Sequence, residues 1–455
     1  MPEPTSRLAE PRQAKEEPTD LAGQLDRSRP LTRGAYLAVL LLATLSSFRP
    51  GGPGLHGLGR MLDPSVSPRD VIDGARNVVL FAGWGLVWMI TARPGRSLVS
   101  FRNAVLSGAG ISAFVETAQL FSTTRTASVL DILTNTLGSF LGAAVLVALV
   151  MAVARKRTFR SFVGLPAMVF AMSYGVSAFA EALIPLFRQT TLPNLYGGPL
   201  GRFRLAWGMF TWSSLGHVPL TDILLFAPAG AFAVAALVEA GKDYRRAAWL
   251  VAGIGSGLAV LAEVGHGLLG LPIDAGAVLA HAAGVGGGAV AAAWGLPRLT
   301  RRLRGRARPR MLLWAYGGVL LLWALRPFAP ETSLAAIVGK LTDDWWIPLR
   351  FLGQRVDLFS VVDVVSPFFL YLPLGGLLAV WPMVRRGWLA DFWPAVYLAV
   401  GTELSQVLVQ GRLLDSTDFL VQAAGALVGW TVLRRAGFAP HGSVLRGPGL
   451  PDTHA

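Results

Sequence analysis

Two sets of polar residues recur along an otherwise apolar chain, and their types are those that handle charged or hydroxyl-bearing ligands. The first set is Asp73, Asn77, Phe81, Gly83 and Gly85. It returns as Asp222, Phe226, Pro228 and Gly230, and again as Asp363, Pro367, Tyr371, Pro373 and Gly375. The second set follows about 30 residues later as Glu116, Gln119, Arg125, Ser128, Asp131, Asn135 and Gly138, and recurs at identical spacing as Glu403, Gln406, Arg412, Asp415, Asp418, Gln422 and Gly425. A middle copy, Glu263, His266, Asp274, His281 and Gly284, fits after a one-residue deletion; it lacks the Arg and has Ala277 at the second Asp position. Arginine offers a fork of donors that suits phosphate or carboxylate, while carboxylates and amides suit sugar hydroxyls or an ammonium group. Paired carboxylates such as Glu403 and Asp418 are also what general acid–base transfer or hydrolysis uses. In the middle copy, Glu263, His266, Asp274 and His281, with His217 and Asp222, are nitrogen and oxygen ligands of the kind zinc accepts. A divergent copy whose histidines hydrogen-bond to neighbouring acids accounts for them equally, and no metal or other cofactor is expected.

The elements that position these residues follow from composition. Of 455 residues, 53% are apolar and 15% charged, there is no Cys, and the mean hydropathy is +0.50. A soluble chain carries about 25% charged residues, so this is an all-helical, polytopic membrane protein, and no thiolate metal site or cysteine nucleophile is available. Twelve apolar runs fit membrane-crossing helices: about 34 to 48, 71 to 91, 103 to 121, 128 to 153, 162 to 187, 219 to 239, 246 to 270, 273 to 296, 311 to 326, 361 to 384, 391 to 410 and 416 to 435. The 41 Lys and Arg concentrate in the even-numbered connections and the two tails, which places those and both termini in the cytoplasm. The net charge of +14, including the dense run from Arg298 to Arg310, is therefore topology and lipid anchoring and not a nucleic-acid footprint. The polar sets then cluster near the outer leaflet, three helices each presenting a pair at i,i+3 or i,i+4. Glu181 stands alone in the fifth run and is the best sign of transport. Gly284, Gly286, Gly287 and Gly288 suit close helix packing better than phosphate binding.

The copies divide the chain into a cytoplasmic tail (1–33), three four-helix units (34–157, 158–308 and 309–437) and a second tail (438–455), with the Arg49-Pro50 and Arg326-Pro327 steps supporting the same phase. The pattern Asp-x3-Asn-x3-Phe followed by Glu-x2-Gln-x5-Arg-x5-Asp-x3-Asn-x2-Gly resembles the VanZ-like family of bacterial membrane proteins. The resemblance covers nearly all of the chain beyond the first tail and is closest in the first and third copies. It implies a helical module of the bacterial cytoplasmic membrane and cell envelope, linked to resistance to the glycopeptide teicoplanin. Together these readings predict binding of a polar lipid headgroup or glycopeptide at the outer leaflet, with membrane lipids or a lipid-linked cell-wall intermediate as partner and no nucleic acid. The expected binding residues are Asp73, Asn77, Glu116, Gln119, Arg125, Asp131, Asn135, Asp363, Glu403, Gln406, Arg412, Asp415, Asp418 and Gln422. A transferase or hydrolase acting on a lipid-linked substrate, and a transporter, are the alternatives.

Overall fold

The computed structural model describes residues 21–45, 48–61, 68–92, 97–124, 126–155, 166–182, 198–208, 220–268, 271–302, 307–343, 345–347, 359–380 and 388–435. Helices dominate: α1 (Leu21–Leu45), α2 (Pro68–Ile90), α3 (Ser97–Gln119), α4 (Val129–Arg155), α5 (Ala167–Ala182), α6 (Gly198–Gly208), α7 (Leu220–Glu239), α8 (Tyr244–Leu268), α9 (Ala275–Arg302), α10 (Ala307–Ala324), α11 (Leu334–Thr342), α12 (Phe359–Val380), α13 (Trp388–Ser405) and α14 (Ser416–Arg435). Extended pairing among the described residues includes two isolated antiparallel bridges, Pro50 with Ser122 and Pro330 with Val409. Helices satisfy their own backbone groups, the condition for residing in hydrocarbon.

Among the described residues six helical stretches are long and apolar enough to cross a membrane: Ser97–Gln119, Val129–Met151, Leu220–Glu239, Tyr244–Leu268, Ala275–Arg298 and Val362–Ala379. The chain is a multi-pass helical membrane protein. The other expected runs are helical too, but shorter or more polar. Ala167–Ala182 and Met311–Ala324 are apolar and short, α1 carries Arg27, Arg29, Pro30 and Arg33, and α2 opens with Arg69, Asp70, Asp73 and Arg76. Among the described residues α6, α11 and a short helix at Leu58–Met61 lie in connections where none was expected.

Three helix pairs form the frame: α2 with α4, α7 with α9, and α12 with α14. Each is closed by glycines at the same places. A methyl group at Gly138, Gly284 or Gly425 would run into the backbone carbonyl of Val78, Ile223 or Phe368. One turn later Gly142, Gly288 and Gly429 press on the carbonyls of Ala82, Ala227 and Leu372, and from the opposite helix Gly85, Gly230 and Gly375 press on those of Ser139, Val285 and Ala426. Small residues four apart are what lets two membrane helices approach backbone to backbone. Gly284 and Gly288 are thus packing residues; nothing stands within 4 Å of a Cβ placed at Gly287.

A tyrosine then ties the first helix of each copy to the second. Tyr36, Tyr174 and Tyr316 donate to the carbonyls of Leu80, Leu225 and Leu370, at 2.7, 2.7 and 2.5 Å. A buried hydroxyl needs such a partner, and each carbonyl lies one residue before the Phe81, Phe226 or Tyr371 position. The middle and third copies meet along α5 and α12. There Tyr174, Phe170, Tyr316 and Trp323 interlock edge to face, and the Ser177 hydroxyl donates to the Ser366 carbonyl at 3.2 Å.

Candidate functional site

The glutamate that ends the third helix of each copy does the same work three times. Glu116 Oε2 accepts from the Ser128 N–H at 2.9 Å, Glu263 Oε2 from the Asp274 N–H at 2.9 Å, and Glu403 Oε1 from the Asp415 N–H at 2.8 Å. These three carboxylates are buried at 2, 5 and 3% exposure, and a charge-assisted bond to backbone offsets that burial. Ser128, Asp274 and Asp415 in turn cap the fourth helix, accepting from the N–H groups of Leu130, Gly276 and Thr417 at 3.1, 2.8 and 2.7 Å. The glutamates and caps thus fold the loop between the third and fourth helices.

Position by position the copies then diverge. Gln406 Nε2 donates to Glu403 Oε2 at 2.9 Å, and His266 Nδ1 stands 3.1 Å from Glu263 Oε1, whereas Gln119 donates to the Thr44 carbonyl of α1 at 3.4 Å. Each oxygen of Glu403 thus accepts one hydrogen bond, one from a side chain and one from backbone. Asn135 donates to Ser112 at 2.9 Å; Gln422 accepts from Thr402 at 3.3 Å, and that hydroxyl also meets the Tyr371 hydroxyl at 2.5 Å. His281 holds the corresponding place in the middle copy, stacked on Phe226 with ring centroids 4.1 Å apart and 3.9 Å from Asp222. Counted back from Gly230, Asp222 occupies the step of Asn77. Among the described residues no three His, Asp or Glu side chains gather at one point suited to a metal; Glu263 bonds to the His266 ring and to the Asp274 N–H, and His217 lies outside the described residues.

In the first copy the polar residues neutralise each other. Arg76 stands 3.5 Å from Asp73, and Asn77 donates to Asp131 at 2.8 Å. Arg125 lies outside the described residues. The third copy instead holds a cavity of about 50 Å³ lined by Asp363, Ser366, Tyr371, Thr402, Gln406, Arg412, Asp418 and Gln422, together with Arg326 and Trp323. Five of the seven residues expected on sequence grounds in this copy line it. The other two, Glu403 and Asp415, support it from behind. Arg412 Nε donates to the Arg326 carbonyl at 3.2 Å.

Two sequence expectations need correction. Glu181 is not isolated: it forms an ion pair with Arg326 at 2.8 Å, joining α5 to the third copy. The Arg-Pro steps are also not equivalent, because the bridges pair Pro50 with Ser122 and Pro330 with Val409. Since Ser122 and Val409 each lie six residues after their glutamate, the counterpart of Pro50 is Pro330 and not Pro327. The sequence reading missed the three tyrosines, Ser366 and Thr402. One tyrosine in the first helix of each copy was the available signal. It also missed an apolar groove of about 470 Å³ in the middle copy, opened by small residues such as Gly175, Ala178, Ala229, Ala233 and Gly255.

The fold and the cavity describe a helical membrane protein built on a recurring module. A family model described as VanZ/LLP1 matches residues 36–151 and 313–437, more than half of the chain. The chain belongs to the VanZ/LLP1 family. The two matched stretches contain the first and third copies of the polar pattern. No match was found among curated proteins or solved structures.

Proposed function

We propose that this VanZ-type membrane protein binds a polar headgroup at the outer leaflet of the bacterial cytoplasmic membrane through the cavity of its third copy. The observation that carries the reading is the convergence of Asp363, Gln406, Arg412, Asp418 and Gln422 on one space next to Ser366, whose hydroxyl is buried and without a hydrogen-bond partner. Buried polar groups are normally satisfied, so an orphaned hydroxyl facing a polar cavity marks a place for a partner. One ordered water needs roughly 10–15 Å³ of such space, which makes this cavity suited to one charged group and not to a whole sugar or glycopeptide. The group belongs to a lipid or lipid-linked cell-wall intermediate whose remainder stays in the headgroup layer.

In this reading the chain has twelve membrane-crossing helices in three parallel four-helix units, 34–157, 158–308 and 309–437, with both termini cytoplasmic. The recurrence of the tyrosine, glutamate, cap and glycine contacts supports the threefold division, and the distribution of basic residues supports the orientation. The first and middle units serve as scaffold. A contribution to teicoplanin-type resistance follows if headgroup binding changes what is displayed at the outer surface. Mass spectrometry of lipids retained by the purified protein tests the reading. A headgroup class enriched in wild type and lost in Gln422→Ala and Asp418→Asn supports it; identical retained lipids in the three folded proteins overturn it.

A further inference from the structure

We infer that the group taken by the third cavity is a primary ammonium; this rests on reading that cavity as a headgroup site. The argument comes from aligning the two copies on Gly85 and Gly375. In that register Arg76 corresponds to Ser366 and Asn77 to Pro367, while Asp73 and Asp131 correspond to Asp363 and Asp418. In the first copy the guanidinium of Arg76 faces Asp73, and the amide of Asn77 donates to Asp131. The third copy has lost both donors. Serine is too short to reach as arginine does, and proline has no side-chain N–H at all. What remains is a space of about 50 Å³ at that place, with Asp363 and Asp418 on its wall and the 3% exposed Ser366 hydroxyl unpartnered in it.

The charges around Asp418 point the same way. Its charged neighbours are Glu403, Asp363, Asp415 and Arg412, three acids and one base. Among the described residues no hydrogen bond reaches the Asp418 side chain. The Arg412 Nε is directed at the Arg326 carbonyl, and the Arg326 guanidinium is paired with Glu181. A cation with several N–H donors supplies to Asp418 what the Asn77 amide supplies to Asp131 in the first copy. A primary ammonium has three, enough for Asp418, Ser366 and one further oxygen, and it fits where a guanidinium on its own stem does not. A quaternary ammonium has no N–H to give to the Asp418 carboxylate or the Ser366 hydroxyl.

The chemistry is shared by an amine-bearing lipid headgroup and a free small amine, and one experiment separates them. The full chain is placed in nanodiscs of phosphatidylglycerol with equal amounts of phosphatidylethanolamine or phosphatidylcholine, and retained lipid is counted by native mass spectrometry with and without added ethanolamine. Phosphatidylethanolamine should be retained over both others, with a loss of about tenfold in Asp418→Asn, an isosteric change that removes a charge-assisted bond. Ser366→Arg should also lose it by supplying its own guanidinium, and thermal unfolding checks that both variants remain folded. Displacement by free ethanolamine at low concentration makes the soluble amine the source and still supports an ammonium site. Equal retention of phosphatidylcholine, or competition by sodium or potassium ions alone, overturns the ammonium assignment. Retention of no lipid class and no effect of ethanolamine overturns the headgroup reading itself.

Discussion

Asp131 and Asp418 occupy the same step of the same helix in two copies of one pattern, each the third residue of its helix. Around Asp131 the facing helix offers Asn77, and the amide closes on the carboxylate. Around Asp418 the facing helix offers Pro367 and Ser366, and a cavity opens. The tyrosine tie, the glutamate that folds the loop, the helix cap and the glycine contacts are the same in both. The scaffold is therefore separable from the site: the frame repeats, and two residues on one face of the second helix decide whether the frame is sealed or open.

That separation can be broken by changes that should cost both copies alike. The largest effect is expected from Gly142→Val and Gly429→Val, which put side chains against the carbonyls of Ala82 and Leu372. Overpacking against backbone costs about 3 kcal/mol or more, so both variants should lose most folded protein in size-exclusion assays. Next come Glu116→Ala, Glu263→Ala and Glu403→Ala, each leaving a loop N–H unpaired at a cost of about 2–3 kcal/mol. Their thermal midpoints should fall by similar amounts. If Glu403→Ala abolishes lipid retention while unfolding like wild type, the glutamate belongs to the site and not to the frame. Tyr36→Phe, Tyr174→Phe and Tyr316→Phe remove one neutral bond each, about 1 kcal/mol, again equally.

The smallest expected effect concerns the helix α11 of the third copy, which lies over the end of α13. Lys340 donates to the carbonyls of Val407 and Val409 and pairs with Glu331 at 3.2 Å. The Ser333 N–H and the Lys340 ammonium hold the Glu331 carboxyl below the usual carboxylate range. A depressed folded value means the stabilisation is present above the ordinary pKa, near pH 4, and is lost as the pH falls through the folded value. Glu331→Gln should therefore unfold slightly earlier than wild type at neutral pH, and the gap should close on acidification. A gap that widens in acid contradicts the pairing.

Much of this was legible before any coordinates. Glu116, Glu403, Asp131, Asp418 and the glycines declare themselves because charge and glycine are conspicuous in apolar helices and the spacing repeats. The function of each was less legible. A glutamate that folds a loop and one that binds a ligand have the same spacing, and only the bond from the Asp415 N–H to Glu403 separates them. Ser366 is silent because a serine in an apolar helix is unremarkable until it is set beside Arg76. The Arg-Pro steps misled because dipeptide identity carries no register, whereas the Pro330 and Val409 bridge does.

The central claim is that the third copy is the site and the first is its sealed counterpart. It is tested most directly by measuring unfolding temperature and phosphatidylethanolamine retention together in Asp131→Asn and Asp418→Asn. The account predicts that Asp131→Asn lowers the midpoint and keeps the lipid, while Asp418→Asn keeps or raises the midpoint and loses the lipid. Loss of lipid in Asp131→Asn with full retention in Asp418→Asn would contradict it.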